Sequence, residues 1–211
     1  MSNIISNAVR RAMMALAVAA GAGLVGYANG GSAVTVEKGL DILYYGVHNV
    51  MNPKFAGGTV PGTAASSQAA IQATVNYAVA KGGVVFIPAG IYNVDMIQVK
   101  DAVYNVEIHG NGAILVGIAT ASRAGLIDVV NCVDFVIRGC RLHGADNPNY
   151  DMGLCVRAQA GTAEATTFCK FYDVQARNFK IGFGIGRYTL DYRCSEISFY
   201  GCDTLKCPTA M

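Results

Sequence analysis

The sequence predicts a mainly β chain, a solenoid of short parallel strands closed at one end by a single amphipathic helix. Three observations lead there. A helix-period segment ends at Gly82-Gly83 and gives way to runs of β-branched and aromatic residues. Similar strand motifs centred on Ile108, Ile137, Phe171 and Phe199 recur at spacings of 29, 34 and 28 residues. Twenty-five glycines, 11 Tyr, 8 Phe and no Trp suit tight turns between strands better than a helix bundle.

Composition narrows the function classes. The chain has 211 residues, 53% hydrophobic and only 14% charged, which excludes disorder throughout. Sixteen Lys+Arg against 14 Asp+Glu leave a net charge of +2 with no concentrated basic face. Nucleic-acid binding is therefore not expected. No apolar run reaches the length of a bilayer span, so membrane insertion is not expected either.

At the N-terminus, Arg10-Arg11 precede the small apolar run Ala12 to Ala20, with Ala17-Val18-Ala19 placed like a cleavage site. Read alone, this segment is either a secretory leader or an apolar stretch used in an oligomer contact. Gly21-Ala22-Gly23-Leu24-Val25-Gly26-Tyr27 follows, then Gly30-Gly31 and Thr35-Val36-Glu37-Lys38-Gly39-Leu40. Residues 46–65 carry Gly46, Asn52-Pro53, Gly57-Gly58 and Pro61-Gly62, and read as loop.

Ser66 or Ser67 is placed to N-cap a helix running to Ala80. Ile71, Val75, Ala78 and Val79 share one face of it, and Gln68, Gln72 and Asn76 form a polar stripe. Lys81 complements the C-terminal dipole and Gly82-Gly83 stops the helix. Strands are then expected at Val84–Ile87, Ile91–Val94 and Met96–Val99.

The repeats continue this pattern. Ile108, Ile137, Phe171 and Phe199 hold equivalent places and should stack in one interior column. The spacing of 34 is assigned to a loop inserted at His143–Gly153. All seven cysteines, Cys132, Cys140, Cys155, Cys169, Cys194, Cys202 and Cys207, lie in this half and read as small buried hydrophobes in strands. With no C-x-x-C and three scattered histidines (His48, His109, His143), no metal site is expected, and no cofactor.

The string Ala70 to Asp95 resembles the capping helix and first turn of pectate-lyase-like right-handed parallel β-helices, found in bacteriophage tail spikes and polysaccharide-degrading enzymes. The Gly21–Leu40 block resembles the front end of tail spikes, where it belongs to the virion-attachment region. The acidic stretch that the family carries ahead of the helix is replaced here by Tyr45-Gly46-Val47-His48-Asn49 and Thr63-Ala64-Ala65-Ser66-Ser67, which separates the chain from standard enzyme subfamilies. The resemblance implies a tail spike or tail fibre. Residues 1–62 would attach to other tail proteins of the virion, and residues 63–211 would form the capping helix and first turns of a β-helix that is incomplete at its C-terminus. It implies a homotrimer located in the virion that recognises bacterial surface polysaccharide. Two alternatives stand beside it: an exported polysaccharide lyase or hydrolase, secreted or periplasmic, and a non-enzymatic virion adaptor.

No catalytic set can be assembled. Glycoside cleavage calls for paired carboxylates, or a carboxylate with Arg or Lys, facing a groove. Strand candidates are Asp173, Arg177, Glu196 and Asp203; loop candidates are Asp146 and Asp151. Tyr44, Tyr45, Tyr150, Tyr188 and Tyr192 are candidates for stacking on sugar rings. Gly182-Phe183-Gly184-Ile185-Gly186 lacks the spacing and the βαβ setting of a dinucleotide loop.

Overall fold

A computed structural model describes residues 27–29, 32–34, 46–62, 67–103, 105–159, 165–186 and 194–208. The chain divides into two compact units, Met1–Tyr45 and Gly46–Met211. In the first, β1 (Tyr27–Asn29) and β2 (Ser32–Val34) pair antiparallel, Tyr27 opposite Val34. The leader-like run, the segment Gly21–Gly26, Thr35–Leu40 and Thr63–Ser66 lie outside the described residues.

The second unit is mainly β and parallel, with one helix among its described residues. Residues 46–62, which precede that helix, group with the sheets and contribute β3 (Val47–Asn49). The helix α1 runs Ser67–Lys81. Strands follow in threes: β4 (Gly83–Phe86), β5 (Ile91–Val94) and β6 (Ile97–Lys100); then β7 (Val106–His109), β8 (Ile114–Gly117) and β9 (Arg123–Val130). Next come β10 (Val136–Arg138), β11 (Arg141–His143) and β12 (Tyr150–Arg157). After the short β13 (Thr166–Thr167) come β14 (Lys170–Tyr172), β15 (Gln175–Arg177) and β16 (Ile181–Ile185). The last are β17 (Cys194–Ser195), β18 (Ser198–Tyr200) and β19 (Asp203–Leu205).

These strands sort into a six-stranded sheet β18-β14-β10-β7-β4-β3, a five-stranded sheet β19-β15-β11-β8-β5 and a four-stranded sheet β16-β12-β9-β6, with β13 and β17 paired separately. The chain visits the three large sheets in turn. On each return the new strand lies parallel to the one laid down a circuit earlier.

The expected interior column is present. Ile108 pairs with Ile137, Ile137 with Phe171, and Phe171 with Phe199. Val85 extends it by one strand. The Phe171 and Phe199 rings stack with centroids 5.1 Å apart. Parallel columns on the other sheets, Tyr92-Leu115-Leu142-Ala176 and Ile97-Ile127-Leu154-Phe183, fill the rest of the core.

Helix α1 covers one end of this core with Ala70, Ile71, Val75 and Ala78. Its polar stripe has a structural task. Gln68 Oε1 accepts the Asp95 and Met96 N–H groups at 3.0 and 3.2 Å, and its Nε2 donates to the Met96 carbonyl at 2.6 Å. Gln72 repeats this on Gln98, accepting at 2.9 Å and donating at 2.8 Å. Four helical residues rise about 6 Å and two strand residues advance about 6.6 Å, so the two amides match the Met96 and Gln98 peptides, one just before β6 and one within it. They stand in for a missing neighbour strand and satisfy an edge that would otherwise invite pairing. Gly82 (φ +78°) ends the helix in the left-handed region. At Gly83 a Cβ would lie 2.4 Å from the Gly46 carbonyl oxygen, so β3 and β4 approach each other only because that position has no side chain.

Two expectations are corrected. Residues 143–153 are no insertion, because His143 ends β11, Tyr150 already begins β12, and only 144–149 connect them. Leu115 to Ile127 and Leu142 to Leu154 are both twelve residues apart, whereas Ile127 to Ile137 is ten and Leu154 to Phe171 is seventeen. The extra length lies between β12 and β14. The cysteines are also mostly not in strands: only Cys155 and Cys194 are. Cys132, Cys140, Cys169, Cys202 and Cys207 sit at corners, where each thiol donates to the carbonyl two residues before it, at 3.2 to 3.9 Å. Each of these carbonyls already accepts a backbone N–H from the preceding circuit, and the thiol adds a weak second donor without introducing a strong polar group.

Candidate functional site

Side chains alternate in and out along each short strand. On the five-stranded sheet, Tyr92, Leu115, Leu142 and Ala176 point inward and are buried. Their neighbours form two outward columns: Ile91-Ile114-Arg141-Gln175-Asp203 and Asn93-Val116-His143-Arg177-Leu205. Adjacent members of a column are separated by the strand spacing of about 4.8 Å. These residues, Asn93 apart, line a shallow groove of about 490 Å³ together with Leu142 and Ala176. Its middle is cationic and polar, with Arg141, His143, Gln175 and Arg177. One end is aliphatic, with Ile91, Ile114 and Val116. Arg141 and Arg177 are exposed, and neither makes an ion pair with a described residue.

The groove unites two of the sequence candidates, Arg177 and Asp203. The others fall elsewhere. Asp173 and Glu196 occupy left-handed turn positions at corners (φ +51° and +54°), a conformation that the short Asp side chain favours. Asp146 (φ +55°) accepts from Asn178 Nδ2 at 3.1 Å, and Asp151 accepts from Lys180 Nζ at 3.3 Å. Tyr150 is no sugar platform, being buried where Gly117 leaves room for its ring. Its hydroxyl takes the Ala119 N–H at 2.9 Å and donates toward the Val94 and Asp95 carbonyls. Burial pushes this phenol up to about 12, so it stays a donor at every physiological pH. Tyr44, Tyr45, Tyr188 and Tyr192 lie outside the described residues.

A second patterned face lies on the six-stranded sheet. His109, Arg138, Tyr172 and Tyr200 occupy one outward column. The Tyr172 and Tyr200 rings stack 4.8 Å apart at 12°, and the Arg138 guanidinium lies 4.2 Å from the Tyr172 centroid. Glu107 receives His109 Nε2 at 2.7 Å and Arg138 Nε at 3.3 Å. Partial burial pushes the Glu107 carboxyl up, but the hydrogen bonds and charges of these two neighbours outweigh it and hold the group below its usual range. Here the cation is already paired with an acid and the rings cover each other, which leaves less for a ligand than the groove offers. Tyr172 and Tyr200 escaped the sequence reading, although each directly follows a column phenylalanine and so had to face outward.

The third sheet carries a polar centre of another kind. Asp128 is 1% exposed. Arg157 grips both its oxygens at 2.9 and 2.8 Å, and Gln98 Nε2 adds a donor at 3.3 Å. The Asp128 hydrogen bond raises Arg157 above its ordinary value. This pair reads as structural, because both Asp128 oxygens are buried and held by Arg157 and Gln98. The buried thiols are equally inert: desolvation pushes Cys132 and Cys140 up to about 12 and Cys169 up to about 11, far from the thiolate form needed for nucleophilic work. Among the described residues, no three His, Cys, Asp or Glu side chains converge on a metal-sized site.

No helix among the described residues is long and apolar enough to cross a membrane. Compared with known proteins, the chain matches no family model, no curated protein and no solved structure.

Proposed function

We propose that this chain is a component of a bacteriophage tail spike or tail fibre, present in the virion as a homotrimer, which recognises polysaccharide on the bacterial surface. In this reading residues 1–62 attach to other tail proteins. Residues 63–211 build the capping helix and first turns of a right-handed parallel β-helix. The circuit through three parallel sheets and the helix laid over one end of their core support the β-helix reading.

The observation that carries the function is the groove on the five-stranded sheet. Two arginines, a histidine, a glutamine and an aspartate project from successive parallel strands in fixed register. An extended glycan has a repeat of similar size to the strand spacing and meets a donor or acceptor on each of β11, β15 and β19. The groove contributes one carboxylate, Asp203, whereas glycosidic hydrolysis commonly uses two. The role proposed for these residues is recognition; Asp203 with Arg177 on the adjoining strand is the carboxylate-arginine pair that a cleaving groove would use.

The test has two readouts. Antibodies raised against the second unit should label tails of intact virions by immunogold microscopy, and the purified chain should be retained on immobilised host polysaccharide. A protein missing from virions, with its mature N-terminus near Ala19 or Ala20, would replace this reading with an exported enzyme.

A further inference from the structure

The groove has a chemical polarity along its length that selects among polysaccharides; this inference rests on the glycan reading above. Arg141 and Arg177 stand diagonally on neighbouring strands, with His143 beside both. From strand spacing and rise, their Cα atoms are about 8 Å apart. A carboxylate between them is within reach of both guanidinium groups, and such bonds are among the strong ones. Among the residues lining the groove, only Asp203, on β19 and diagonal to Arg177, opposes an anion.

One strand away the surface changes. Ile114 and Val116 on β8 lie directly beside Arg141 and His143, and Ile91 on β5 follows. A bare sugar ring placed there would set hydroxyl groups against aliphatic carbon and lose their water without replacement. A short acyl group avoids this, because its methyl covers Ile114 and Val116.

We infer that the groove binds an acidic polysaccharide whose sugars carry a carboxylate and, on the same or the adjacent residue, an O-acetyl group. The carboxylate sits on β11 and β15, and the acetyl group on β5 and β8. The aliphatic end also suits a second copy of this chain, and the experiment separates that case.

The probes are three purified bacterial exopolysaccharides, O-acetylated alginate, xanthan and gellan, each in native, de-O-acylated and carboxyl-reduced form, titrated calorimetrically against the full chain. For a native polymer that binds, carboxyl reduction should weaken affinity about tenfold or more, and de-O-acylation several-fold. The double variant Arg141→Gln/Arg177→Gln should lose the preference for the carboxylated form. Ile114→Thr/Val116→Thr should lose only the preference for the acylated form. All four side chains face outward, and circular dichroism checks that both variants fold. Equal affinity for native and carboxyl-reduced polymer would overturn the inference and leave glycan recognition standing. If no form of any polymer binds, the inference falls; if the arginine variant also changes the oligomeric state, the face is a subunit contact and the glycan reading falls with it.

Discussion

Phe171→Ala should destabilise the second unit by about 3–5 kcal/mol, the cost of truncating a buried aromatic. Phe171 is fully buried, in register between Ile137 and Phe199. Its ring stacks on that of Phe199, which also packs against Phe183 at 5.3 Å. The parallel strands are held at a fixed spacing by their ladders, so neighbours have little freedom to collapse into the void. Phe171→Leu fills most of the same volume and should cost far less. Tyr172→Ala, one residue on, removes an outward ring and should cost about 1 kcal/mol or less. Urea unfolding followed by circular dichroism measures all three. A cost below about 1 kcal/mol for Phe171→Ala would mean that the column is not the core of this unit.

Arg157→Ala should be comparably damaging, about 3–5 kcal/mol, for an electrostatic reason. Asp128 is 1% exposed, and both its oxygens are gripped by the Arg157 guanidinium. Removing the arginine leaves a buried carboxylate with only the Gln98 amide as a side-chain donor. The double variant Asp128→Asn/Arg157→Ala removes the charge and keeps the Gln98 contact. It should recover most of the loss, which separates an unpaired charge from lost packing around the arginine stem. If the double variant is as unstable as the single one, the packing explanation holds and the ion pair contributes little.

Much of this architecture was legible from residue period alone. Helix α1 is read from its apolar face and from the glycine pair that ends it. The interior column follows from equal places in a repeat, because stacking puts equivalent residues side by side. What escaped the reading has physical causes. The Gln68-Gln72 pair looks like a solvated stripe, since nothing local shows that a strand edge waits two to three dozen residues downstream. Tyr150 follows Asn147-Pro148-Asn149 and so reads as loop, yet a distant glycine, Gly117, opens the space that buries it. The groove was only half visible. Arg177 and Asp203 were candidates and Arg141, His143 and Gln175 were not; all five lie on three-residue strands, too short to show by themselves which residues share an outward face. Only the register between strands assembles them into one face.

Arginine footprinting tests the central claim most directly. The intact chain is treated with phenylglyoxal, with and without bound host polysaccharide, and modification at each arginine is read by mass spectrometry. Glycan recognition by the five-stranded sheet predicts that the polysaccharide protects Arg141 and Arg177 and leaves Arg138, on the six-stranded sheet, as reactive as before. Protection of Arg138 with Arg141 and Arg177 unchanged would contradict it and move the site to the Tyr172-Tyr200 face.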